Sequence, residues 1–116
     1  MSEFLEKAVM AHNLWKGKLR DAIVSGNTPD EATTRADNAC DLGKWLHGEG
    51  AQYSAKAEYQ DVMTCHKSFH QSAADVVKLI KAGKKDDAAK SLDQGDFAKC
   101  SVNCVLAIGK LKKIHP

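Results

Sequence analysis

The chain has 116 residues, of which 43% are apolar and 28% are charged. These values are typical of a globular protein, so they exclude a disordered chain, and we expect a single domain over residues 1–116. The net charge of +2 is too small to indicate a nucleic-acid partner. No apolar run is long enough to cross a membrane and no signal peptide is evident, so we expect a cytoplasmic protein whose cysteines are thiols or metal ligands.

The first half of the chain contains one long and one short helical pattern. Apolar residues recur at three- and four-residue steps over residues 2–24, which predicts an amphipathic helix. Glycine and proline within residues 25–30 predict its end. Residues 30–38 are polar and compatible with a short exposed helix or an ordered loop. Residues 40–46 form a compact apolar segment before a glycine-rich stop, and we expect one short helix there.

The second half contains the longest helical pattern, over residues 53–82, which Gly83 is expected to end. Residues 84–91 predict a short charged helix, and Gly95 marks a break before a last helix that begins near Asp96. No strand-like alternation is present in the sequence. These patterns predict an all-α fold, namely an antiparallel four-helix bundle with an additional short helix that carries Cys40.

Four residues form a complete ligand set for a tetrahedral zinc ion: His12, Cys40, His66 and His70. His66 and His70 are four residues apart, so they lie on one helix face and can bind the same metal. Two imidazoles on one buried face are costly without a shared partner. His12 and Cys40 have no local partner, so a shared site would join three separate segments of the chain.

Other metal chemistries fit the sequence less well. Lys67 stands where the metalloprotease motif H-E-x-x-H has its general-base glutamate, which disfavours zinc-dependent hydrolysis. The Glu-x-x-His pairs of di-iron bundles are absent from the sequence, which leaves iron as the less favoured alternative.

The other cysteines and histidines receive simpler interpretations. Cys65 points about 100° away from His66 on a helix, so we expect it in the core or at its boundary. Cys100 and Cys104 are four residues apart and compatible with a second metal site or a cross-link. A buried free cysteine ordinarily behaves as a small apolar residue, and we expect that role for both. We expect the remaining two histidines, His47 and His115, on the surface.

Three motifs in order resemble the chemoreceptor zinc-binding domain family, called CZB. They are H-N-L at residues 12–14, C-D-L-G-K-W at residues 40–45 and H-K-S-F-H at residues 66–70. The similarity extends from about residue 4 to residue 111. Cys65, Cys100 and Cys104 lie outside the pattern, so the resemblance implies no role for them.

The resemblance implies a four-helix bundle that binds Zn²⁺ through three histidines and one cysteine. The residues at the ligand positions are His12, Cys40, His66 and His70. The residues at the supporting positions of the motifs are Leu14, Leu42, Gly43 and Trp45. Of these, Leu42 and Trp45 are expected to anchor the short helix in the core, and Gly43 is expected to permit a close helix approach.

The family usually occurs fused to cytoplasmic chemoreceptors or diguanylate cyclases, and this chain contains neither a receptor signalling hairpin nor a cyclase. The resemblance implies a sensory or regulatory domain of bacterial signalling, of chemotaxis or cyclic-di-GMP type, that responds to zinc or to oxidation of the zinc-bound Cys40. It also implies a homodimer, with a signalling protein or a fused signalling domain as partner. The alternative is a structural zinc in a docking or dimerisation module. We expect no enzyme, because four protein ligands leave no coordination position for water.

Overall fold

The computed structural model describes residues 2–114 as a set of helices. The α-helices are α1 (Ser2–Ser25), α2 (Glu31–Arg35), α3 (Asp41–His47), α4 (Ala57–Lys81), α5 (Lys85–Gln94) and α6 (Asp96–Ile114), and a 3₁₀ helix (Glu49–Tyr53) lies between α3 and α4. No strand occurs in this part of the chain. The prediction of an all-α fold is therefore confirmed, whereas the antiparallel four-helix arrangement stays a prediction.

The long helices end where the sequence predicted. Gly26 follows α1 with a φ of 81°, and Gly83 follows α4 with a φ of 79°; glycine adopts this left-handed conformation without steric cost. The helix α4 begins at Ala57, four residues after the predicted start. Tyr53 instead ends the 3₁₀ helix, and residues 54–56 form a turn before α4. The ring of Tyr53 stacks on that of Trp45 with centroids 6.1 Å apart.

Residues 30–38, for which the sequence was compatible with either a short helix or a loop, contain the short helix α2. Asp30 caps it, because its carboxylate accepts a hydrogen bond from the backbone N–H of Thr33 at 2.9 Å. The helix packs against α4, and an ion pair of 3.0 Å between Arg35 and Asp75 joins the two. This contact buries Thr34 against α4.

One hydrophobic core connects α1, α3, α4, α5 and α6. The most extensive helix contact is between α4 and α6, where the rings of Phe69 and Phe97 lie 5.3 Å apart. An ion pair between Glu6 and Lys112 links the start of α1 to the end of α6, so these two helices run antiparallel. In the interior, the middle of α1 faces the middle of α4. Polar side chains buried at such positions need partners.

None of the helices found between residues 2 and 114 is both long enough and apolar enough to span a bilayer.

Candidate metal centre

The structure brings together all four residues that the sequence predicted as metal ligands. His12 comes from the middle of α1, Cys40 from the residue before α3, and His66 and His70 from successive turns of α4. One ligand atom from each lies within 4.8 Å of the other three. Within residues 2–114, no other group of three or more metal-binding side chains of the His, Cys, Asp and Glu types is found.

Four of the six distances between ligand atoms of this cluster, from 3.0 to 3.9 Å, are close to those around a tetrahedral zinc ion. The Sγ of Cys40 lies 3.2 Å from Nε2 of His66, 3.6 Å from Nε2 of His70 and 3.9 Å from Nε2 of His12. The Nε2 atoms of His66 and His70 are 3.0 Å apart. Ligand atoms about 2.0–2.3 Å from a central zinc stand roughly 3.3–3.6 Å from one another. The donor set and its spacing therefore fit the metal.

Backbone carbonyls orient two of the imidazoles towards the cluster. Nδ1 of His12 lies 2.6 Å from the carbonyl oxygen of Ala8, and Nδ1 of His70 lies 3.0 Å from that of Thr34. A carbonyl can only accept, so each Nδ1 carries the hydrogen and donates it. The lone pair of each Nε2 is then free for a metal, which is the arrangement that outer-shell hydrogen bonds impose on ligating histidines.

His66 is fully buried and depends on the cluster for its polar contacts. Its Nδ1 has no hydrogen-bond partner among residues 2–114, whereas its Nε2 faces Cys40 and His70. A buried polar side chain with so few partners requires an explanation. A metal ion at the centre of the cluster would compensate Nε2 directly.

The metal-free cluster is electrically neutral. Burial lowers the pKa of His12, of His70 and, to about 3, of His66, so all three imidazoles are uncharged near pH 7. Burial raises the pKa of the Cys40 thiol, and the backbone N–H of Gly43 opposes this effect by hydrogen bonding to Sγ at 3.3 Å. The histidines are thus ready to bind a cation, whereas Cys40 must first lose its proton.

Of the four clustered residues, Cys40 lies nearest to solvent. It is half-buried, whereas the three histidines are buried. A cleft of about 350 Å³ between α1 and the start of α3 leads to it, with Lys7, Trp15 and Lys18 among its lining residues. The cluster is therefore open to the surface on the side of this cleft, which both Cys40 and His12 line.

The family model of the chemoreceptor zinc-binding domain matches residues 12–77, more than half of the chain, and this range contains all four clustered residues. The chain belongs to the CZB family. The search of curated proteins and the search of solved structures each gave no match. CZB is a zinc-binding domain, and this chain has a cluster able to hold the ion. The predicted family and the predicted cofactor, Zn²⁺, are both confirmed.

Two of the four supporting positions of the CZB motifs, Leu42 and Trp45, pack as expected, whereas Gly43 makes its close approach to a loop and not to a helix. Leu42 and Trp45 are buried and anchor α3 in the core. A Cβ on Gly43 would lie 1.9 Å from the carbonyl oxygen of Asp37, so only glycine fits this close approach. Leu14 differs, because it lies on the outer surface of α1 with 65% exposure. It does not support the cluster by packing.

We expect Gly43→Ala to lower both the melting temperature and the zinc affinity. The added methyl group would push α3 away from the preceding loop, and overpacking of this kind typically costs about 1–3 kcal/mol. Because Cys40 directly precedes α3, it would move with the helix. The matched control is Gly109→Ala in α6, where nothing lies within 4 Å of the added Cβ. Thermal unfolding and zinc titration of both variants check this, and equal behaviour of the two would contradict it.

Thr34, like Ala8, contributes to the CZB site in a way that sequence reasoning missed. Thr34 acts through its backbone carbonyl oxygen. Because every residue has such an oxygen, the residue type at this position does not indicate the role. The one sequence signal is indirect: an Asp three residues before a Thr, as at Asp30 and Thr33, is compatible with a capped helix start. The capped helix α2 is what places the Thr34 carbonyl against His70.

Cys65, Cys104 and His47 lie where the sequence predicted, whereas Cys100, which was expected to be buried, is only half-buried. Cys104 is fully buried, and burial raises its pKa to about 12, so it behaves as an apolar residue. Cys65 and Cys100 are half-buried at the edge of the core. His47 is exposed. The predicted surface position of His115 lies outside the described residues.

Proposed function

We propose that residues 1–116 form one CZB domain that binds a single zinc ion through His12, Cys40, His66 and His70. The observation that carries this proposal is the convergence of four ligand atoms within 4.8 Å of one another. The hydrogen bonds from His12 and His70 to backbone carbonyls support it, since they leave both Nε2 atoms free for the metal. In the bound state Cys40 is a thiolate and the three imidazoles are neutral.

We further propose that the domain is a sensory or regulatory unit of cytoplasmic bacterial signalling, of chemotaxis or cyclic-di-GMP type. The signal is zinc itself or oxidation of Cys40. The position of Cys40 supports this function, because the one sulfur ligand is half-buried at a cleft and sits at the start of a seven-residue helix. A change at Cys40 would act first on α3. We infer that the domain works as a homodimer with the four-helix arrangement and acts on a signalling protein or a fused signalling domain.

A structural zinc is the second candidate, and the burial of the histidines favours it. His12, His66 and His70 are each at most 3% exposed, and they join α1 to α4 in the core. A zinc ion at that point would stabilise the fold as a permanent cross-link, as metals do in small domains. The domain would then serve docking or dimerisation without responding to a signal.

Zinc titration near pH 7.5 should give one zinc per chain and the release of about one proton per zinc. The raised pKa of Cys40 keeps its thiol protonated before binding, and the lowered pKa values of the histidines mean that they have no proton to lose. Apparent zinc affinity should therefore rise about tenfold per pH unit between pH 7 and 8. The steeper fall caused by protons competing for the imidazoles should appear only below the ordinary pKa range of histidine, because burial lowers the pKa of all three.

Calorimetric titration in buffers of different ionisation enthalpy measures the number of released protons. Zinc binding without proton release would exclude Cys40 as a ligand, and release of two protons would require a second thiol. The Cys40→Ser variant is the matched control, since a hydroxyl does not ionise near pH 7.

A further inference from the structure

The outer face of α1 carries an apolar stripe that no described residue covers. Met10 is 66% exposed, Leu14 65% and Val24 80%. Gly17 lies on the same face, and no atom lies within 4 Å of the place where its Cβ would stand. Positions 10, 14, 17, 21 and 24 alternate by four and three residues, as in the contact line of paired helices. Glycine weakens an exposed helix relative to alanine, and no contact within residues 2–114 offsets this.

Charges on this face complement each other across a two-fold axis. Lys7 and Asp21 each lie seven residues from Leu14, one on either side, and both are exposed. Neither has an ion-pair partner within residues 2–114. In an antiparallel pair of α1 helices centred on Leu14, residues at equal distance from the centre face each other. Lys7 then faces Asp21 of the partner subunit, and symmetry repeats this pair.

Small residues on the same face allow the two helices to come close. In the same register Ala11 faces Gly17 of the partner subunit, again twice. Interhelical distance depends on the side chains at the contact, and small ones shorten it. The close approach would cover Leu14 at the centre. It would also explain why position 17 is a glycine, which no contact within the single chain does.

We propose that the outer face of α1 is the contact between two copies of this chain, paired antiparallel about a two-fold axis at Leu14. This rests on the proposed homodimer and names its surface and register. A contact built mainly from one helix of each copy is at the small end of specific interfaces, so the dimer should dissociate in the micromolar range.

The exposed apolar residues of α6 do not provide an equivalent contact. Val102 and Leu106 are 58% and 60% exposed. Their neighbours on that face are Lys99, Lys110 and Lys113. The only acidic residue of α6 is Asp96 at its first position. Self-pairing of α6 would thus bring like charges together, which is unfavourable.

Sedimentation velocity of the full zinc-loaded chain between about 1 and 200 µM tests whether the outer face of α1 is a dimer contact. This concentration range brackets a micromolar dissociation constant. We expect reversible dimerisation. Leu14→Gln should raise the dissociation constant at least about tenfold, as loss of a central apolar contact does. Leu106→Gln is the matched control and should leave the dissociation constant within about twofold of the wild-type value. A monomer throughout the range, or a larger effect from Leu106→Gln, would overturn the proposal.

Charge reversal tests the register and does not depend on the behaviour of Leu14→Gln. Lys7→Glu and Asp21→Lys should each weaken the dimer about tenfold, because each places two like-charged pairs across the axis. The double variant should return to within about threefold of the wild type. Failure of the double variant to recover would refute the register. Zinc content measured on the same samples separates the two proposals, since a zinc-free dimer would contradict only the proposed metal site.

Discussion

Replacing His70 by Ala should lower zinc affinity by more than about 100-fold. This is more than the loss of affinity expected when a residue that only hydrogen-bonds to a metal ligand is mutated. In the proposed site the His70 side chain supplies one of four ligand atoms, and it is buried between His66 and the carbonyl of Thr34. The double variant Cys40→Ala, His70→Ala should contain little zinc after purification. His47→Ala is the matched control, because His47 is exposed and lies outside the cluster. Metal analysis by mass spectrometry gives the result directly.

Loss of zinc in these variants has meaning only if the protein still folds. The ring of His70 lies 5.5 Å from that of Phe69, but the contact of Phe69 with Phe97 does not run through it, so α4 and α6 should keep their contact. Far-UV circular dichroism should therefore show mostly retained helix content. Full zinc retention in the folded double variant would reject the ligand assignment, and equal zinc loss in His47→Ala would place the metal elsewhere.

The parts of this site that depend on side-chain type were predictable from the sequence. His66 and His70 lie four residues apart on a periodic apolar pattern, so local geometry alone places them together. His12 and Cys40 meet them only through the tertiary fold. Chemistry indicated them as ligands, since imidazole and thiolate suit zinc. That these separate segments meet at one site was inferred from the order of the three motifs and not from any local rule.

The parts that depend on backbone atoms were not predictable. The carbonyl oxygens of Ala8 and Thr34 orient two histidines, yet neither residue type distinguishes itself from its neighbours. The 3₁₀ helix before α4 was missed because it begins in a glycine-rich segment that predicted only a stop, and the packing of Tyr53 on Trp45 there is tertiary.

Oxidation of Cys40 should release zinc and loosen residues 38–48 while α1, α4 and α6 stay formed. The thiolate attacks a peroxide, hydroxide leaves, and the sulfenic acid that forms at Sγ is a poor metal ligand. The helix α3 has only seven residues and contacts mainly the 3₁₀ helix that follows it, with few contacts to α1. By contrast, α4 and α6 share the most extensive contact of the structure. Loss of one ligand should thus free the weakest element first.

Hydrogen exchange measured by mass spectrometry before and after equimolar peroxide is the direct test. The variant Cys65→Ser, Cys100→Ser, Cys104→Ala leaves Cys40 as the only thiol, so any change in exchange can be assigned to it. Protection should fall in residues 38–48 and return after a thiol reductant and zinc are added, because sulfenic acid is reversible. Loss of protection in all helices alike would instead support the structural zinc, since the ion would then stabilise the whole fold. Unchanged protection in residues 38–48 would mean that Cys40 is not a switch.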